Sequence, residues 1–413
     1  MPKSQIYLLF SNSGGGHRSA TEAIQAALDE LLIETKLTNN FQIKTDALVE
    51  NSHPLNRTFV GIYNLLLRHR QASVKHYYRL IHYLKPNDSP FGYWITAPYI
   101  KKIIGEARPS VVVAIHPMIN QYIPKVIKSC GLEGQTKFIT VVTDPNERIW
   151  KGWASPDGDL TIVPNELVKN KLLSWGVPEE KVRVVGMPVH PDFIKQPRAD
   201  RGEYLRKLGL DPDILTVCIN SGWAGGGNMM AIYKALSAVH RKMQVVFLSG
   251  HNDKLRERAA ATASEVGIPT AVLPFIDQMS ELMNAVDLMV TKAGGLTTFE
   301  AISRRLPIAI DMITPPMPQE AGNVDLLLNA GLAKPITKPS DIVPLVEAAK
   351  PDPDRLSRPL PKVFDLDRTG AAYEIAKIIL EYGSAKYSKV FSTARGLSGN
   401  AADERIPRAV GLQ

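Results

Sequence analysis

Residues 291–300 read TKAGGLTTFE, and this stretch decides the prediction of the fold. An apolar run precedes it and an amphipathic run follows it, which predicts a strand, a glycine turn and the amino terminus of a helix. Gly294 and Gly295 allow the backbone to approach a ligand closely, and the helix terminus favours an anion. Glu300, about one turn into the helix, could accept both hydroxyls of a ribose. The stretch therefore predicts a nucleotide site, with an ordinary strand–helix turn as the alternative.

The chain has the size and composition of a soluble protein with two domains. It has 413 residues, of which 44% are hydrophobic and 22% charged. No run of about eighteen apolar residues is present, so no segment is expected to span a membrane. The first residues lead at once into a strand-like run, so no signal peptide is expected. Cys130 and Cys218 lie in separate predicted halves, which favours reduced thiols and a cytoplasmic location.

Positive charge is concentrated in one segment of the chain. The net charge is +8, and residues 51–87 contain six Lys or Arg and four His but no Asp or Glu. Apolar residues recur at helical spacing between positions 59 and 84, which predicts basic helices at an anionic membrane surface. The alternative is a pair of ordinary helices on the sheet with solvated basic faces. No nucleic-acid recognition module is apparent, so nucleic acid is not an expected partner.

Strand-like and helical segments alternate along the whole chain. Strands are predicted at 5–10, 41–45, 111–115, 138–142, 160–163 and 182–185, and then at 214–219, 245–248, 270–273, 288–290 and 308–310. This alternation predicts two α/β halves, each with a mainly parallel sheet. A break at 186–203 predicts the linker, a helix at 371–382 closes the fold, and the segment after residue 384 is expected to be disordered.

In the first half, polar residues directly follow the predicted strands. A turn of three glycines at 14–16 presents His17, which is the candidate catalytic base; a loop histidine that only makes a hydrogen bond is the alternative. The carboxyl ends of parallel strands meet at one edge of a sheet, so the residues there are candidates for a single cleft. These cleft candidates are Gly15, Gly16, His116, Asp144 and Trp150.

In the second half, glycine turns again follow the strands, and they are suited to holding a diphosphate through backbone amides. A turn after the second strand could read a base edge, and polar residues at 319–323 suit the hydroxyls of a sugar. The candidates that these turns add to the opening stretch are Gly225, Gly226, Gly227, Gly250, His251, Gln319, Glu320 and Asn323.

Taken together, the motifs resemble those of the monogalactosyldiacylglycerol synthase-like glycosyltransferases of family 28, which are related to the peptidoglycan N-acetylglucosaminyltransferase. The matching segments occur in order across both halves. They read SGGGHRSA from residue 13, IHPM from 115, VTD from 142, GMPV from 186, GGG from 225, TKAGG from 291 with Glu300, and QEAGN from 319. The segment after Asp144 and the Gly295-Leu296-Thr297 sequence depart from the plant pattern, so the sugar stays open.

The resemblance implies an α/β protein with the GT-B fold, in which two Rossmann-like domains face each other across a cleft. Residues 1–190 would be the acceptor and membrane-facing domain, residues 191–383 the nucleotide-sugar-binding domain, and residues 384–413 a tail. The resemblance also implies an inverting transfer of a hexose from a UDP-sugar to diacylglycerol on the inner face of a membrane. The UDP-sugar would be a co-substrate, with no cofactor and no metal.

The resemblance gives the candidate residues their roles. His17 is the base, and Glu300 holds the ribose. The glycine turns and the neighbourhood of Lys292, including Gly294, Gly295 and Thr297, hold the diphosphate. Gln319, Glu320 and Asn323 face the donor sugar. The sequence has no Asp-x-Asp metal motif, so helix termini and amides would have to neutralise the leaving diphosphate.

Two alternatives stay open at this point. The same fold could act on a soluble or polyprenyl-linked acceptor. A dehydrogenase or other nucleotide-binding protein could instead use Asp46, at the end of the second strand, for a ribose. The missing G-x-G-x-x-G pattern places that second alternative lower.

Overall fold

The computed structural model describes residues 3–69, 74–84, 87–195, 197, 199–352, 354–357 and 370–394. Within them, two six-stranded sheets form, and all strand pairs are parallel. The first sheet has the order β2-β1-β3-β4-β5-β6, from strands Ser4–Leu9, Phe41–Asp46, Val111–Ala114, Lys137–Val141, Leu160–Val163 and Val182–Val184. The second has the order β12-β11-β10-β7-β8-β9, from Leu215–Asn220, Met243–Leu248, Thr270–Leu273, Leu288–Thr291, Ile308–Asp311 and Ala333–Ile336.

Helices cover both faces of each sheet. In chain order, α1–α8 are Gly16–Glu34, Leu48–Ser52, Pro54–His69, Val74–Leu84, Pro90–Ala107, Ile123–Ser129, Glu166–Leu173 and Arg201–Lys207. Helices α9–α16 are Met229–Ala235, Asp253–Val266, Met279–Ala285, Gly295–Ser303, Pro318–Asn329, Ile342–Ala348, Ala371–Gly383 and Ser388–Thr393. Among the described helices, none is both long and apolar enough to cross a bilayer.

The central strands are short apolar runs buried on both faces, as parallel sheets require. Every residue of β3, β5, β7, β8, β10 and β11 is buried. The eleven predicted strands all form, with ends that differ by one or two residues. The predictions missed β12, because Lys334 and Pro335 interrupt its apolar pattern on an edge of the sheet, where proline is tolerated.

The final helices differ from the predicted domain limits. The sequence assigns residues 371–383 to the second domain, but α15 lies on the first sheet, where Gly383 packs beside Phe41 and Ile6. Tyr373 of this helix donates a hydrogen bond to Glu30 of α1 (2.5 Å). Helix α15 packs on the first sheet because its apolar face is buried there, and the order of elements in the sequence does not reveal this.

The predicted disorder after residue 384 is wrong for its first part. Residues Ser388–Thr393 form α16, and Phe391 is fully buried with its ring 5.8 Å from that of Phe41. Residues 395–413 lie outside the described part of the chain. The remaining fold prediction, two α/β domains of the GT-B type with a cleft between them, is confirmed.

The two domains touch across the cleft at several points. Asn146 donates a hydrogen bond to Asn323 (2.6 Å), and Arg148 pairs with Asp325 (2.7 Å). A side chain on Gly15 would lie only 2.9 Å from Trp223, so the glycine turn of the first domain meets the loop of the second without a gap. The structure is therefore that of a closed cleft.

Candidate active site

One cavity of about 580 Å³ lies between the two domains. The carboxyl ends of both sheets open into it, as expected for ligand sites in open parallel sheets. Its polar lining includes residues from the predicted site in each half. These are Gly15, Gly16, His17 and Asp144 from the first domain, and Gly250, Lys292, Gly294, Gly295, Thr297, Glu300, Glu320 and Asn323 from the second.

The first glycine turn presents His17 at the start of α1. Gly14 and Gly15 adopt φ angles of 75° and 86°, which only glycine adopts without strain. Asn64 of α3 holds the turn, because its amide donates to Asn12 O (3.1 Å) and its oxygen accepts from Gly14 N (3.1 Å). The tight turn therefore fixes the direction in which α1 begins and with it the position of the imidazole.

Burial favours the neutral form of His17. Its Nδ1 is 3.0 Å from Thr143 Oγ1, and its ring makes an edge contact with His116 at 4.5 Å. Burial lowers the pKa of His17, while Asp144 and a hydrogen bond to the Ile115 carbonyl act in the opposite direction. A neutral imidazole is the state that a general base requires.

His116 packs beside His17 and is held by a hydrogen bond to Ser13. His116 accepts a hydrogen bond at Nδ1 from Met118 N (3.3 Å), so its Nε2 donates to Ser13 Oγ (3.0 Å). Burial lowers the pKa of His116 well below its ordinary value, and it does not line the cavity. It therefore packs against the base and does not reach a substrate.

Of the two tryptophans near this edge, neither lines the cavity, but Trp153 contacts two residues that do, Asp144 and His17. Its indole donates to Asp144 Oδ2 (2.7 Å), and its ring lies 5.9 Å from that of His17. The predicted residue, Trp150, packs on Gly152 and does not line the cavity. Both tryptophans follow the same strand, so the sequence alone could not separate them.

Helix α12 points its amino terminus into the cavity from the other domain. Gly294 precedes the helix with an extended backbone, and a side chain on Gly295 would lie 3.2 Å from the Thr143 carbonyl oxygen. The amino termini of α1 and α12 therefore converge from opposite domains. Such free amides attract an anion placed between them.

Lys292 stands just before this helix. Burial lowers the pKa of Lys292, while Glu320 and Asp311 favour its charged form. Burial also raises the pKa of Glu320, which Lys292 opposes. A buried cation beside the amino terminus of α12 can neutralise part of the charge of a diphosphate.

Glu300 lines the cavity from the second turn of α12. Burial raises the pKa of its carboxyl group to about 7. A buried carboxylate without a cation partner is costly, and hydroxyl donors from a ligand would stabilise its ionised form. This is the environment expected of a hydroxyl-binding group.

The polar residues of α13 lie at the junction of the domains. Asn323 donates to the Ala293 carbonyl (3.0 Å) while accepting from Asn146, so its amide is already engaged by protein groups. Glu320 lines the cavity beside Lys292, and the pKa of Glu320 is also raised by Asp144 across the cleft. The side chain of Gln319 lies outside the described part of the chain.

The second glycine run does not line the cavity. A side chain on Gly225 would overlap the Ser249 carbonyl oxygen, and one on Gly227 would lie 3.0 Å from Lys292. The cavity wall is instead formed by the preceding residues, Ser221, Gly222, Trp223 and Ala224. His251 also stays outside the cavity, where its ring stacks on Phe275 at 4.6 Å.

Two parts of the cavity wall were not predicted. Residues 274–277, the loop after β9, form one of them, although the sequence gives only a Pro-Phe pair as a signal. The other is an apolar wall of Tyr63, Leu67, Trp223, Ala224 and Met317. Tyr63 and Leu67 belong to the helical pattern within residues 51–87, but spacing alone does not show which face of α3 points inward.

In the described ranges, no group of three or more His, Cys, Asp or Glu side chains could hold a metal ion. The metal-independent reaction stays a prediction. Asp46, the residue of the dehydrogenase alternative, accepts a hydrogen bond from Tyr99 (2.9 Å) and does not line the cavity.

Comparison with known proteins gives the family. The monogalactosyldiacylglycerol synthase profile matches residues 17–189, and the glycosyltransferase family 28 C-terminal domain matches residues 229–325. Monogalactosyldiacylglycerol synthase 2 of Arabidopsis thaliana is 30% identical over 390 residues, which cover 91% of this chain and 80% of that relative. The chain belongs to the monogalactosyldiacylglycerol synthase family.

A second relative and a solved structure are also similar to this chain. Monogalactosyldiacylglycerol synthase 1 of Arabidopsis thaliana is 30% identical over 360 residues. The aligned region covers 83% of this chain but only 64% of the length of that relative. The superposition on the crystal structure of MurG from Acinetobacter baumannii covers 92% of this chain and 100% of the MurG chain, with a TM-score of 0.54. At 12% identity that likeness concerns the fold alone. The family resemblance drawn from the motifs is confirmed.

Proposed function

We propose that this chain transfers a hexose from a UDP-sugar to the hydroxyl group of diacylglycerol at a membrane surface. The observation that carries the proposal is one cavity that joins His17 of the first domain to Glu300 and the α12 terminus of the second. Membership of the synthase family, and the names of its relatives, favour galactose as the sugar and diacylglycerol as the acceptor.

The donor would be held by the second domain. The Glu300 carboxylate accepts the ribose hydroxyls, and the amides of Gly294 and Gly295 with Lys292 bind the diphosphate. Glu320, beside Lys292, would accept hydroxyls of the sugar. This arrangement leaves the anomeric carbon facing the first domain, where His17 lies.

The transfer needs one proton acceptor and one stabilised leaving group. The imidazole of His17 takes the proton of the acceptor hydroxyl as that oxygen bonds to the anomeric carbon. The bond from this carbon to the diphosphate oxygen breaks, and UDP leaves with the electron pair. Attack opposite the leaving group inverts the anomeric centre. The α12 amides and Lys292 would stabilise the charge on UDP, with no metal and no cofactor.

Membrane attachment would use helices α3, α4 and α5 of the first domain. Helices α3, α4 and α5 expose eight large apolar side chains, which are Leu55, Phe59, Ile62, Leu65, Leu80, Tyr83, Phe91 and Trp94. Arg57, Arg79, Lys101 and Lys102 are exposed on the same helices. Apolar side chains beside basic ones suit an anionic lipid surface. The side chains of Arg68 and Lys75, and residues Arg70 and Lys85, lie outside the described part of the chain.

The transfer is tested by incubating the protein with UDP-galactose or UDP-glucose and vesicles that contain diacylglycerol. We expect a β-hexosyl diacylglycerol, identified by mass and by the anomeric proton coupling, and undiminished rates in EDTA. An α-linked product would contradict inversion, and loss of activity in EDTA that Mg²⁺ restores would contradict metal independence. Transfer only to a soluble or polyprenyl-linked acceptor would replace the proposal with that alternative. Tighter binding of NAD(P) than of UDP would favour a nucleotide-binding protein of another class.

Membrane attachment is tested by sedimentation with vesicles. We expect the protein to pellet with anionic vesicles and to stay in solution with neutral ones. The double variant F91S/W94S should weaken this binding, whereas I33S, at an equally exposed site on α1, should not. Equal loss in both would contradict a specific membrane face.

A further inference from the structure

One end of the cavity is apolar and is built by both domains. Tyr63 and Leu67 come from α3, while Trp223, Ala224 and Met317 come from loops of the second domain. Tyr63, Leu67, Ala224 and Met317 are each 7–8% exposed, so they form a packed cluster with one side on the cavity.

This apolar end lies directly beside the candidate base. A side chain on Gly14, three residues before His17, would lie 3.7 Å from Leu67 and 3.8 Å from Tyr63. On the opposite side, Met317 caps α13, which carries Glu320 next to Lys292. The apolar end therefore borders both the glycine turn that presents His17 and the helix that carries Glu320.

From this placement we infer that the apolar end is the seat of an acyl chain of the lipid acceptor. The inference rests on the proposed function, because it assigns the place where diacylglycerol lies during transfer. A polar acceptor would leave its hydroxyls without partners against Leu67 and Met317, which is unfavourable. An acyl chain removes the same side chains from water.

Helix α3 connects the seat to the lipid surface. Ile62 and Leu65 on its outer face are 43% and 58% exposed, while Tyr63 and Leu67 on its inner face are buried. A single helix therefore has one apolar face toward the proposed membrane and another toward His17. An acceptor would need to move only around this helix to pass from the bilayer to the base.

The seat also depends on closure of the cleft. Its two halves belong to different domains, and Tyr63 Oη lies 3.9 Å from Met317 Sδ across the boundary. A chain lying on this cluster would touch both domains, so it would stabilise the closed arrangement that brings His17 to the donor.

The experiment measures kcat/KM with dibutanoyl-, dihexanoyl- and dioctanoylglycerol below the concentrations at which they aggregate. For the unmodified protein we expect kcat/KM to rise about fourfold for each methylene that enters the seat. The inner-face variants L67S and M317S, one from each domain, should reduce this rise to less than about twofold while UDP binds as before. The conservative variant L67M should keep the rise of kcat/KM with chain length.

The matched control is L65S, two residues away on the outer face of the same helix. It should keep the chain-length dependence of the monomeric acceptors and weaken sedimentation with anionic vesicles. If L67S does not fold, the variant A224V narrows the seat, and the rise should then end at a shorter chain. A variant is accepted as folded if its melting temperature and its affinity for UDP match those of the unmodified protein.

The outcomes separate the seat from the proposed function. An unaltered rise in M317S together with either L67S or A224V would overturn the seat alone. A rise that L65S flattens as strongly as the inner-face variants would also overturn it. If the unmodified protein transfers sugar to none of the diacylglycerols although it binds UDP, the proposed function and the seat both fail.

Discussion

The two runs of three glycines look alike in the sequence, but they serve different neighbours. Residues 14–16 border the cavity, and the positive φ angles of Gly14 and Gly15 set up the turn that presents His17. Residues 225–227 lie behind the cavity wall, where Gly225 allows the chain to pass the Ser249 carbonyl. In the first run, the turn at Gly14 and Gly15 borders the cavity and meets Trp223 of the other domain, whereas in the second run Gly225 allows the close approach of a loop of its own domain.

The comparison shows what a glycine motif can predict. A run of glycines after a strand indicates that something comes very close to the backbone, but it does not identify that neighbour. In the second domain the residues that line the cavity are Ser221, Gly222, Trp223 and Ala224, immediately before the run.

The largest effect is expected from H17A, at the residue that the first run presents. Loss of the base should reduce kcat by about 10²–10⁴-fold, while UDP affinity stays the same, because the donor is held by the other domain. The control is H251A, at a histidine that also follows a glycine turn but lies outside the cavity; it should lose less than about tenfold. A fully active H17A protein would remove His17 from the mechanism.

The next contrast is G225A against G15A. G225A should destabilise the fold by about 2–4 kcal/mol, measured by denaturant unfolding, because its methyl group meets the Ser249 carbonyl at a positive φ. G15A places its methyl group 2.9 Å from Trp223 of the other domain. It should therefore impair closure and turnover more than stability. The contrast breaks if G225A keeps its stability and G15A unfolds.

A smaller effect is expected at Glu300, in the helix that follows the Gly294–Gly295 turn. Burial raises the pKa of Glu300 to about 7, so the ionised form that accepts ribose hydroxyls is lost as the pH falls through that value. UDP affinity measured by calorimetry should therefore decrease from about pH 8 to about pH 6, with proton release on binding. E300Q should bind UDP about 10–100-fold more weakly and without this pH dependence. A pH-independent wild type would contradict the role.

The smallest effect is expected from G16A. Gly16 has no neighbour within 4 Å of an added Cβ, and its φ angle is not positive. Alanine also favours the first turn of α1. Turnover should change by less than about threefold, measured beside G15A under the same conditions. A loss in G16A as large as that in G15A would mean that the whole first run is reserved for a ligand.

The sequence predicted the parts of this molecule that follow local rules. Eleven of the strands and the turn at 291–300 follow from runs of apolar residues and glycine, which depend on neighbours in the chain. His17 was predicted because it follows a strand end at one edge of a parallel sheet, Glu300 from the glycine turn and helix start at 291–300, and Lys292 from the family resemblance. All three line one cavity, and their roles stay predictions. Helical spacing in residues 51–87 indicated amphipathic helices, which α3 and α4 confirm.

The remaining features depend on contacts between distant segments. Trp153 and not Trp150 reaches Asp144, and the direction of a loop after β4 decides this. Asn323 was expected to face a sugar, yet its amide bonds to Asn146 and to the Ala293 carbonyl. The apolar wall needs Tyr63 and Met317 to meet, although they are separated by 254 positions. No pattern within one segment carries such information.

The return of α15 to the first sheet has a mechanical consequence. Strands β1–β6 and helix α15 belong to the first domain, and strands β7–β12, which lie between them in the sequence, belong to the second, so the second domain is an insertion held at both ends. Two attachment points define a line, and swinging about that line is far easier than sliding or twisting away from it. Each opening would then retrace one path, and the substrates would meet the same registration of the two halves at every turnover.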